Sequence, residues 1–205
     1  MKIAIIGSGN IGGGLAAAWA ARHQITFGAR DPEDAELVAQ CRTLGARAAT
    51  VAAAVRDAEV IVLAMPWKAL DDVVSAAGDL AGKIVIDCTN AVGPGMQLRY
   101  GHTTSASEEL ARRLPGAHVV KSFNAQGAEN LANPIYGGVR ACNFFCGDSA
   151  EAKQAVRALI EEVGFEPVDV GGLVEARLLE PLMVLWIRSS LALGTRDLAF
   201  KILRR

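Results

Sequence analysis

The sequence predicts an α/β fold with a doubly wound, mostly parallel sheet, and three observations support this prediction. Short β-branched segments alternate with alanine-rich, helix-forming segments along the chain. Most of the helix-forming segments reach about ten residues, which suits right-handed crossovers between parallel strands. The 205 residues are 51% hydrophobic but only 5% aromatic, as expected for aliphatic strands buried under alanine-rich helices.

Hydrophobic periodicity and end signals assign the elements of the first half of the chain. The predicted strands are Lys2–Ile6, Gln24–Gly28, Arg47–Thr50, Glu59–Ala64 and Lys83–Cys88, and the predicted helices are Asn10–His23, Asp34–Leu44 and Trp67–Leu80. Thr50 can cap a further short helix, because a threonine hydroxyl accepts hydrogen bonds from first-turn N–H groups. Pro66 ends the fourth strand because it cannot donate to a strand ladder.

The second half begins with a long loop containing Gly and Pro, which runs from Asn90 to about Thr103. Ser105 and Glu108 resemble a capping box for a helix that ends before Pro115. The remaining predicted strands are His118–Phe123, Asn143–Cys146 and Glu166–Val170, and the remaining helices are Ala150–Val163, Glu175–Leu193 and Arg196–Leu203.

Charge and cysteine content exclude several functions. The formal net charge is −1, so nothing favours nucleic acid or an anionic membrane as a partner. The four cysteines are Cys41, Cys88, Cys142 and Cys146, and we interpret them as buried free thiols rather than as disulfides or metal ligands. No apolar run reaches membrane-spanning length, and a strand, turn and helix explain the first residues better than a signal peptide does. We expect a cytoplasmic protein without a metal site.

The segment Gly7-Ser8-Gly9-Asn10-Ile11-Gly12 follows the first strand and opens the first helix. In this context a GxGxxG motif predicts dinucleotide binding on a Rossmann fold. Gly7 permits a tight turn, Gly9 lets the backbone approach a pyrophosphate, and Gly12 allows close packing of helix on strand. The N-terminus of the helix then offers free N–H groups to the phosphates.

The end of the second strand selects between the two nicotinamide cofactors. It reads Phe27-Gly28-Ala29-Arg30-Asp31, with no acidic residue at the end of the strand to bind ribose hydroxyls as in NAD-specific sites. Arg30 is placed to bind a 2′-phosphate, which favours NADP(H). Two alternatives remain, because Arg30 can pair with Asp31 or Glu33 on the surface, and Asp31 can reach a ribose hydroxyl.

Three later strands end in residues suited to the nicotinamide end of the cofactor. The fourth ends in Ala64-Met65-Pro66-Trp67, the fifth in Thr89-Asn90-Ala91, and the sixth in Phe123-Asn124-Ala125-Gln126. Ligands of open α/β sheets bind beyond the carboxyl ends of the strands, so these residues are expected at one crevice. The alternative for Asn90 and Asn124 is a turn role in which each amide bonds its own loop. No catalytic side chain is predicted, since a coenzyme ring can carry hydride chemistry itself.

The chain resembles the NADP oxidoreductases that depend on the deazaflavin coenzyme F-420, and it is also similar to the oxidoreductase domain of the STEAP metalloreductases. The resemblance spans nearly the whole chain. It rests on IIGSGNIG, FGARDP, LAMPW, VIDCTNAV, KSFNAQGAENLANP, FFCGDSAEAK and GFEPVDVGGLVEARLLEP. It implies hydride transfer between NADP(H) and a second coenzyme, either coenzyme F-420 or a flavin such as FMN, with no covalent intermediate.

The resemblance also implies roles for individual residues. Those at the pyrophosphate are Ser8, Gly9, Asn10 and Ile11, those at the nicotinamide end are Met65, Pro66, Asn90 and Ala125, and Asn124 lies near the second coenzyme. Relatives have a hydroxyl residue and then basic residues around the 2′-phosphate. Here Ala29 replaces the hydroxyl residue, Arg30 matches a base, and Asp31 stands where a second base is possible.

We therefore expect a cofactor domain over residues 1–170 and a helical segment over residues 171–205 that closes the pocket and contributes to a homodimer. Two other functions remain open. The first is an NADPH-dependent reductase of another small metabolite, for which Lys121 is the only proton donor that the sequence places near the cleft. Its position inside a strand favours a structural role. The second is a non-catalytic NADPH sensor, which would usually carry an effector segment.

Overall fold

The computed structural model describes residues 1–205 and contains an eight-stranded sheet of order β10-β9-β6-β5-β4-β1-β2-β3. A separate two-stranded hairpin, β7-β8, follows the sixth strand. The strands are β1 (Lys2–Ile6), β2 (Gln24–Ala29), β3 (Arg47–Thr50), β4 (Val60–Leu63), β5 (Ile84–Asp87), β6 (His118–Lys121), β7 (Ile135–Tyr136), β8 (Val139–Arg140), β9 (Cys142–Gly147) and β10 (Glu166–Asp169).

Seven α-helices and four short 3-10 turns connect these strands. The helices are α1 (Asn10–Trp19), α2 (Ala35–Leu44), α3 (Val51–Arg56), α4 (Leu70–Ala77), α5 (Ala106–Arg113), α6 (Ala150–Val163) and α7 (Ala176–Leu193). The 3-10 turns are Trp67–Ala69, Pro94–Met96, Ala128–Leu131 and Leu173–Glu175.

The sheet is doubly wound about β1, as predicted. The chain runs from β1 to β2 and β3 on one side, then returns through β4, β5 and β6 on the other, and all these neighbours pair in parallel. Strand β9 is antiparallel to β6, with Lys121 opposite Cys146, so the sheet is mostly rather than entirely parallel. The reversal of strand order at β1 and β4 opens a crevice at the carboxyl ends of the strands.

Each central strand is buried on both faces, because helices cover the sheet from both sides. In β1, Ile3 and Ile5 belong to the core under α1, α2 and α6, whereas Ala4 and Ile6 belong to the core under α3, α4 and α5. Trp19 at the end of α1 joins the first core to α6 by donating from Nε1 to the carbonyl of Leu159 at 3.0 Å. This two-sided burial explains why the strands are continuous apolar runs.

The predicted capping residues act as caps. The Thr50 hydroxyl accepts a hydrogen bond from the N–H of Ala53 at 3.3 Å. The Ser105 hydroxyl accepts from the N–H of Glu108 at 3.1 Å and donates to the carboxylate of the same residue at 2.9 Å.

The predictions for β1, β3 and α6 match the observed bounds, and most other elements differ by a few residues at their ends.

The predicted helix over Arg196–Leu203 is wrong, because these residues have no helical structure. Helix α7 ends at Leu193, and the left-handed conformation of its C-cap, Gly194, reverses the chain. The carbonyl of Phe200 then accepts from the N–H of Cys142 at 2.9 Å. The carbonyl of Leu198 accepts from Nε1 of Trp186 at 2.9 Å and from Nδ2 of Asn130 at 2.9 Å. Because neighbouring elements take these carbonyls, the tail is held in place without forming helical bonds.

Two other predicted elements extend too far. The predicted helix Asn10–His23 stops at Trp19, and the predicted helix Trp67–Leu80 divides into a 3-10 turn and α4, which ends at Ala77. The hairpin β7-β8 was not predicted, and Gly137 and Gly138 form its turn with positive φ. None of the helices is both long enough and apolar enough to span a bilayer.

Candidate functional site

The glycine turn after β1 has the geometry that the motif predicts. Gly7 has a φ of +110°, and a Cβ there would lie 2.5 Å from the carbonyl oxygen of Ala64. A Cβ on Gly12 would lie 1.8 Å from the carbonyl oxygen of Gly7, so α1 packs directly on the turn. A Cβ on Gly9 would meet no protein atom within 4 Å. The fold therefore requires Gly7 and Gly12, whereas the absent side chain of Gly9 leaves space open above the turn.

Helix α1 begins at this turn without a side-chain cap. Its N-cap residue is Gly9, which has no side-chain hydrogen bond to the helix, and its first turn contains no acidic residue. By contrast, Asp34, Thr50, Ser105 and Ser149 cap α2, α3, α5 and α6 through side-chain oxygens. The free N–H groups and the positive end of the α1 dipole are therefore available to an anion.

A first cavity, of about 290 Å³, lies on the β2 side of the turn. The predicted site residues that line it are Gly7, Ser8, Ala29, Arg30, Met65 and Pro66, together with Ile6, Phe27, Gly28, Val51, Ala69, Asp72, Val73 and Ala76. Arg30 forms no salt bridge and no hydrogen bond, and the Asp31 carboxylate instead accepts from the N–H of Glu33 at 3.0 Å. The alternative of an Arg30 pair with Asp31 or Glu33 is therefore not observed.

A second cavity, of about 340 Å³, lies where the carboxyl ends of β5 and β6 meet α7. It is lined by the predicted residues Asn10, Ile11, Asn90 and Asn124, and also by Cys88, Val92, Met96, Phe123, Gln126, Ala128, Met183, Trp186, Ile187 and Arg196. Met96, Met183 and Arg196 were not predicted as site residues, since no sequence motif marks residues that reach the cavity from a distant loop, helix or tail. Ala125 is half-buried and lines neither cavity.

Asn90 and Asn124 bind each other across the two loops. Nδ2 of Asn90 donates to the carbonyl of Asn124, and Nδ2 of Asn124 donates to Oδ1 of Asn90, both at 3.1 Å. Nδ2 of Asn124 also donates to the carbonyl of Leu179 in α7 at 2.8 Å. The alternative in which each amide bonds its own loop is therefore wrong, and the pair holds the ends of β5 and β6 together at the edge of the second cavity.

Gln126 leaves one donor unused beside the same cavity. Its Oε1 accepts from Nδ2 of Asn143 at 3.3 Å, whereas its Nε2 is buried with no hydrogen-bond partner. Buried polar atoms almost always have a partner. Gln126 therefore holds an unsatisfied buried donor in the wall of the second cavity.

A cluster of three buried charges lies directly behind the second cavity. Asp87 ends β5, Lys121 ends β6 and Glu180 lies in α7, and all three are at most 1% exposed. Nζ of Lys121 lies 3.0 Å from Oδ2 of Asp87 and 3.5 Å from Oε1 of Glu180, and it donates to the carbonyl of Thr89 at 2.6 Å. Lys121 therefore lies in a buried ion-pair network and does not line the cavity as a proton donor would.

Further hydrogen bonds satisfy both carboxylates of the cluster. Asp87 accepts from the N–H and hydroxyl of Thr89 at 2.9 and 2.7 Å, and from the hydroxyl of Ser107 at 2.6 Å. Glu180 accepts from the N–H groups of Ala106 and Ser107 at 3.0 and 3.1 Å, and so binds the first turn of α5. Asp87 and Glu180 were missed in the sequence, although a carboxylate at the end of the apolar run IVID was a usable signal.

Pairing decides the charge state of Asp87 and Lys121. Burial favours the neutral form of Asp87. The Lys121 ammonium and the hydrogen bonds from Ser107 and Thr89 favour the charged form more strongly, so the pKa of Asp87 lies below its ordinary value. Burial likewise opposes charge on Lys121, yet the carboxylates of Asp87 and Glu180 outweigh it and raise the pKa of the ammonium. Both groups are therefore charged at neutral pH.

The four cysteines are buried free thiols. Burial raises the pKa of Cys146 to about 12, and burial together with the nearby Asp87 carboxylate raises the pKa of Cys88 above its ordinary value. Both therefore remain protonated thiols. No group of three or more His, Cys, Asp or Glu side chains is placed to hold a metal ion.

The chain is similar in sequence and fold to known NADP oxidoreductases. A family model described as "NADP oxidoreductase coenzyme F420-dependent" matches residues 2–91. The F420-dependent NADP reductase of Methanothermobacter marburgensis is 32% identical over 220 residues, which cover 98% of each chain. A solved structure from Arthrobacter sp. FB24, provisionally named an F420-dependent NADP-reductase, superimposes with a TM-score of 0.92 at 33% identity and full coverage of both chains.

The metalloreductase STEAP3 of Rattus norvegicus is 35% identical over 205 residues, but this chain spans only 39% of the length of STEAP3. Fold, site and relatives together define an NADP-dependent oxidoreductase. The full-length match to the M. marburgensis reductase makes the assignment more specific, because it extends beyond the segment that the family model covers. The chain belongs to the family of coenzyme F420-dependent NADP oxidoreductases.

The buried cluster generates a prediction about acid stability. Because the folded pKa of Asp87 is lowered, the native protein binds fewer protons here than the unfolded chain, and this stabilisation is lost as pH falls below about 4. We expect Asp87→Asn to lower the free energy of unfolding by about 3 kcal/mol at pH 7, as when one partner of a buried pair is removed. The difference between native protein and variant should shrink between about pH 4 and pH 2.

Urea unfolding followed by circular dichroism from pH 7 downwards measures this difference. Asp71→Asn is the matched control, because Asp71 is an exposed aspartate that pairs with Arg113 on the surface. The control should lower stability by less than about 1 kcal/mol at every pH. A difference for Asp87→Asn that stays constant down to pH 2 would contradict the assignment of a lowered pKa.

Proposed function

We propose that the protein binds NADP(H) across the two cavities and transfers a hydride between it and a deazaflavin or flavin ring. The observation that carries the proposal is the uncapped N-terminus of α1, which lies between the cavities behind the open space above Gly9. A dinucleotide has two nucleosides joined by a pyrophosphate, so it fits an anion site with a cavity on each side. Ser8, Asn10 and Ile11 then lie beside the pyrophosphate.

The adenosine end of the cofactor is assigned to the first cavity. Arg30 lies at this cavity with a guanidinium that no carboxylate neutralises, and a 2′-phosphate gives it a bidentate partner. Ala29 precedes it without a hydroxyl, so the arginine is the main discriminating contact for NADP(H). The first cavity is otherwise mostly apolar, as suits the adenine ring.

The nicotinamide end is assigned to the side of the turn that faces the second cavity. Met65 and Pro66, at the end of β4, line the first cavity, whereas Asn90, at the end of β5, lines the second. Asn124 and Ala125 follow β6, and the Asn90–Asn124 pair fixes the distance between the two loops. We infer that Asn90 and Asn124 orient the nicotinamide ring. Met183, Trp186 and Arg196, whose guanidinium lies 5.0 Å from the Trp186 ring, form the wall beside which a second ring lies.

The chemistry of the second cavity supports a ring acceptor. Its only titratable side chains are Cys88, whose raised pKa keeps the thiol protonated, and Arg196, which pairs with Glu129 at 2.5 Å. A reductase of carbonyls or imines usually needs a positioned proton donor, and Lys121 is sealed in the buried cluster away from the cavity lining. The nicotinamide supplies the hydride, and the protein contributes proximity and orientation.

The C-terminal segment, residues 171–205, is proposed to close the pocket and to form a homodimer. Helix α7 contributes Met183 and Trp186 to the second cavity and presents a different face to solvent. On that face Leu178 and Leu185 are 64% and 54% exposed, with Val174 one turn earlier at 46%. Val174 lies in the 3-10 turn that precedes α7, four residues before Leu178, and Leu185 follows Leu178 by seven residues, so the three share one side. A second copy of the chain is the occupant that we propose.

The first prediction of the proposal concerns cofactor selectivity. Titration of the protein with NADPH and NADH, followed by nicotinamide fluorescence, should show tighter binding of NADPH. Arg30→Ala should weaken NADPH binding by about 10- to 100-fold, the effect of one charge-assisted pair, and change NADH binding by less than about threefold. Arg42→Ala is the matched control, because Arg42 is an exposed arginine in α2 outside both cavities. Equal loss for the two cofactors would show that Arg30 does not bind the 2′-phosphate.

The second prediction concerns the acceptor. Oxidation of NADPH, followed by absorbance at the nicotinamide band, should require coenzyme F-420 or FMN and proceed without metal. Trp186→Ala should raise KM for the ring acceptor about tenfold, as expected from lost aromatic contact, and leave the NADPH Kd unchanged. Binding of NADPH with no turnover on either ring would favour the sensor, and turnover only on a small carbonyl or imine would favour the metabolite reductase.

The third prediction concerns assembly. Sedimentation velocity should report a dimer for the native chain and a monomer for the double variant Leu178→Glu/Leu185→Glu, because charges at an apolar interface are costly to bury. Leu203→Glu is the control, since Leu203 is 83% exposed but lies in the tail. A native chain that sediments as a monomer at micromolar concentration would contradict the proposed dimer.

A further inference from the structure

The carbonyl of Thr89 is held from inside the protein by a buried ammonium. Nζ of Lys121 donates to this carbonyl at 2.6 Å, the shortest of its polar contacts, and the lysine side chain is fully buried. The same ammonium is fixed by Asp87 at 3.0 Å and faces Glu180 at 3.5 Å. The carbonyl of Thr89 is therefore joined to a charged group that has no room to move.

The rest of Thr89 is held as firmly. Its N–H and its hydroxyl both donate to Oδ1 of Asp87, at 2.9 and 2.7 Å. Lys121 and Asp87 thus restrain all three polar groups of one residue, and the next residue in the chain is Asn90. The side chain of Asn90 in turn pairs with Asn124 at the edge of the second cavity.

Stability alone does not account for an ammonium at this position. Burying a charged trio requires desolvation of every member, and apolar residues of similar volume often support a fold as well or better. Glu180 already binds the first turn of α5, and Ser107 binds Asp87, without help from the lysine. The lysine supplies the positive charge opposite the two carboxylates, and it also adds a bond to the peptide that precedes Asn90.

We propose that Lys121 is a positioning residue for the nicotinamide end of the site, acting through the carbonyl of Thr89 on the Asn90–Asn124 pair. The inference rests on the proposed function, because it assigns Asn90 to the nicotinamide. A small displacement of a positioning group can slow a reaction strongly, so the lysine influences the geometry of the ring without touching it.

The test uses the double variant Asp87→Asn/Lys121→Met. Native Asp87, Glu180 and Lys121 carry −1, −1 and +1, a total of −1, and the variant retains −1 on Glu180 alone. The net buried charge is therefore unchanged, and the amide introduced at position 87 still offers an oxygen to Thr89 and a nitrogen to the Ser107 hydroxyl. The double variant loses the contacts of the ammonium with the Thr89 carbonyl and with Glu180. Lys83→Met is the matched control, because Nζ of Lys83 also donates to two carbonyls, those of Arg56 and Ala58, at the opposite end of β5.

Two readouts separate positioning from binding and from folding. The first is the fluorescence lifetime of the nicotinamide in bound NADPH, which needs no acceptor and lengthens when the ring is immobilised. The second is the single-turnover rate of hydride transfer to FMN or coenzyme F-420. In the double variant we expect the lifetime to fall towards that of free NADPH and the transfer rate to drop at least about tenfold. The NADPH Kd should stay within about threefold of native, while Lys83→Met lowers only the melting temperature.

Several outcomes would overturn the inference. A lifetime and a transfer rate equal to native would show that the Thr89 bond does not position the ring, and an equal loss in Kd would assign the lysine to cofactor affinity instead. Failure of the native protein to bind NADPH would contradict the proposed function itself and, with it, this inference. If the double variant does not fold, the single variant Asp87→Asn is measured instead. It replaces the carboxylate that fixes the Lys121 ammonium with a neutral amide, so both readouts should shift in the same direction by a smaller amount.

Discussion

The buried trio of Asp87, Lys121 and Glu180 is the interaction on which the arrangement of β5, β6, α5 and α7 depends. It joins the ends of two central strands to the first turn of α5 and to the middle of α7. These elements are distant in sequence, and no apolar contact could fix their relative positions with the same directionality. Both a carboxylate and an ammonium lose hydration on burial, and the network offsets this loss because nearly every donor and acceptor has a partner.

The two cavities follow from the order of the strands. Strand β1 lies between β2 and β4, so the helices that follow β1 and β4 pass on opposite faces of the sheet and leave a crevice between them. The glycine turn occupies the centre of this crevice, with Arg30 at one end and the Asn90–Asn124 pair at the other. Helix α7 contributes Met183, Trp186 and Ile187 to the lining of the second cavity, and the tail contributes Arg196.

Local patterns in the sequence predicted most of the fold. Strands and helices are predictable because the apolar residues of each repeat within a few positions. Caps such as Thr50 and Ser105 are predictable because they bond a residue only three positions further on. The glycine turn and Arg30 were found for the same reason. The predicted helix at Arg196–Leu203 failed because bonds to Cys142, Trp186 and Asn130, all distant in sequence, decide the conformation of the tail. The partners of Lys121 were missed for the same reason, since Glu180 comes from another element.

The uncapped start of α1 has a practical consequence. In α2, α3, α5 and α6, a side-chain oxygen of the protein accepts hydrogen bonds from the first-turn N–H groups. At the start of α1 no side chain does so, and an acceptor for these N–H groups has to come from solution. Inorganic phosphate and sulfate carry the same oxygens as a pyrophosphate, and they bind helix N-termini of this kind. Under the proposed binding mode, buffers that contain these anions would compete with the dinucleotide, so affinities measured in different buffers would be comparable only at a matched anion concentration.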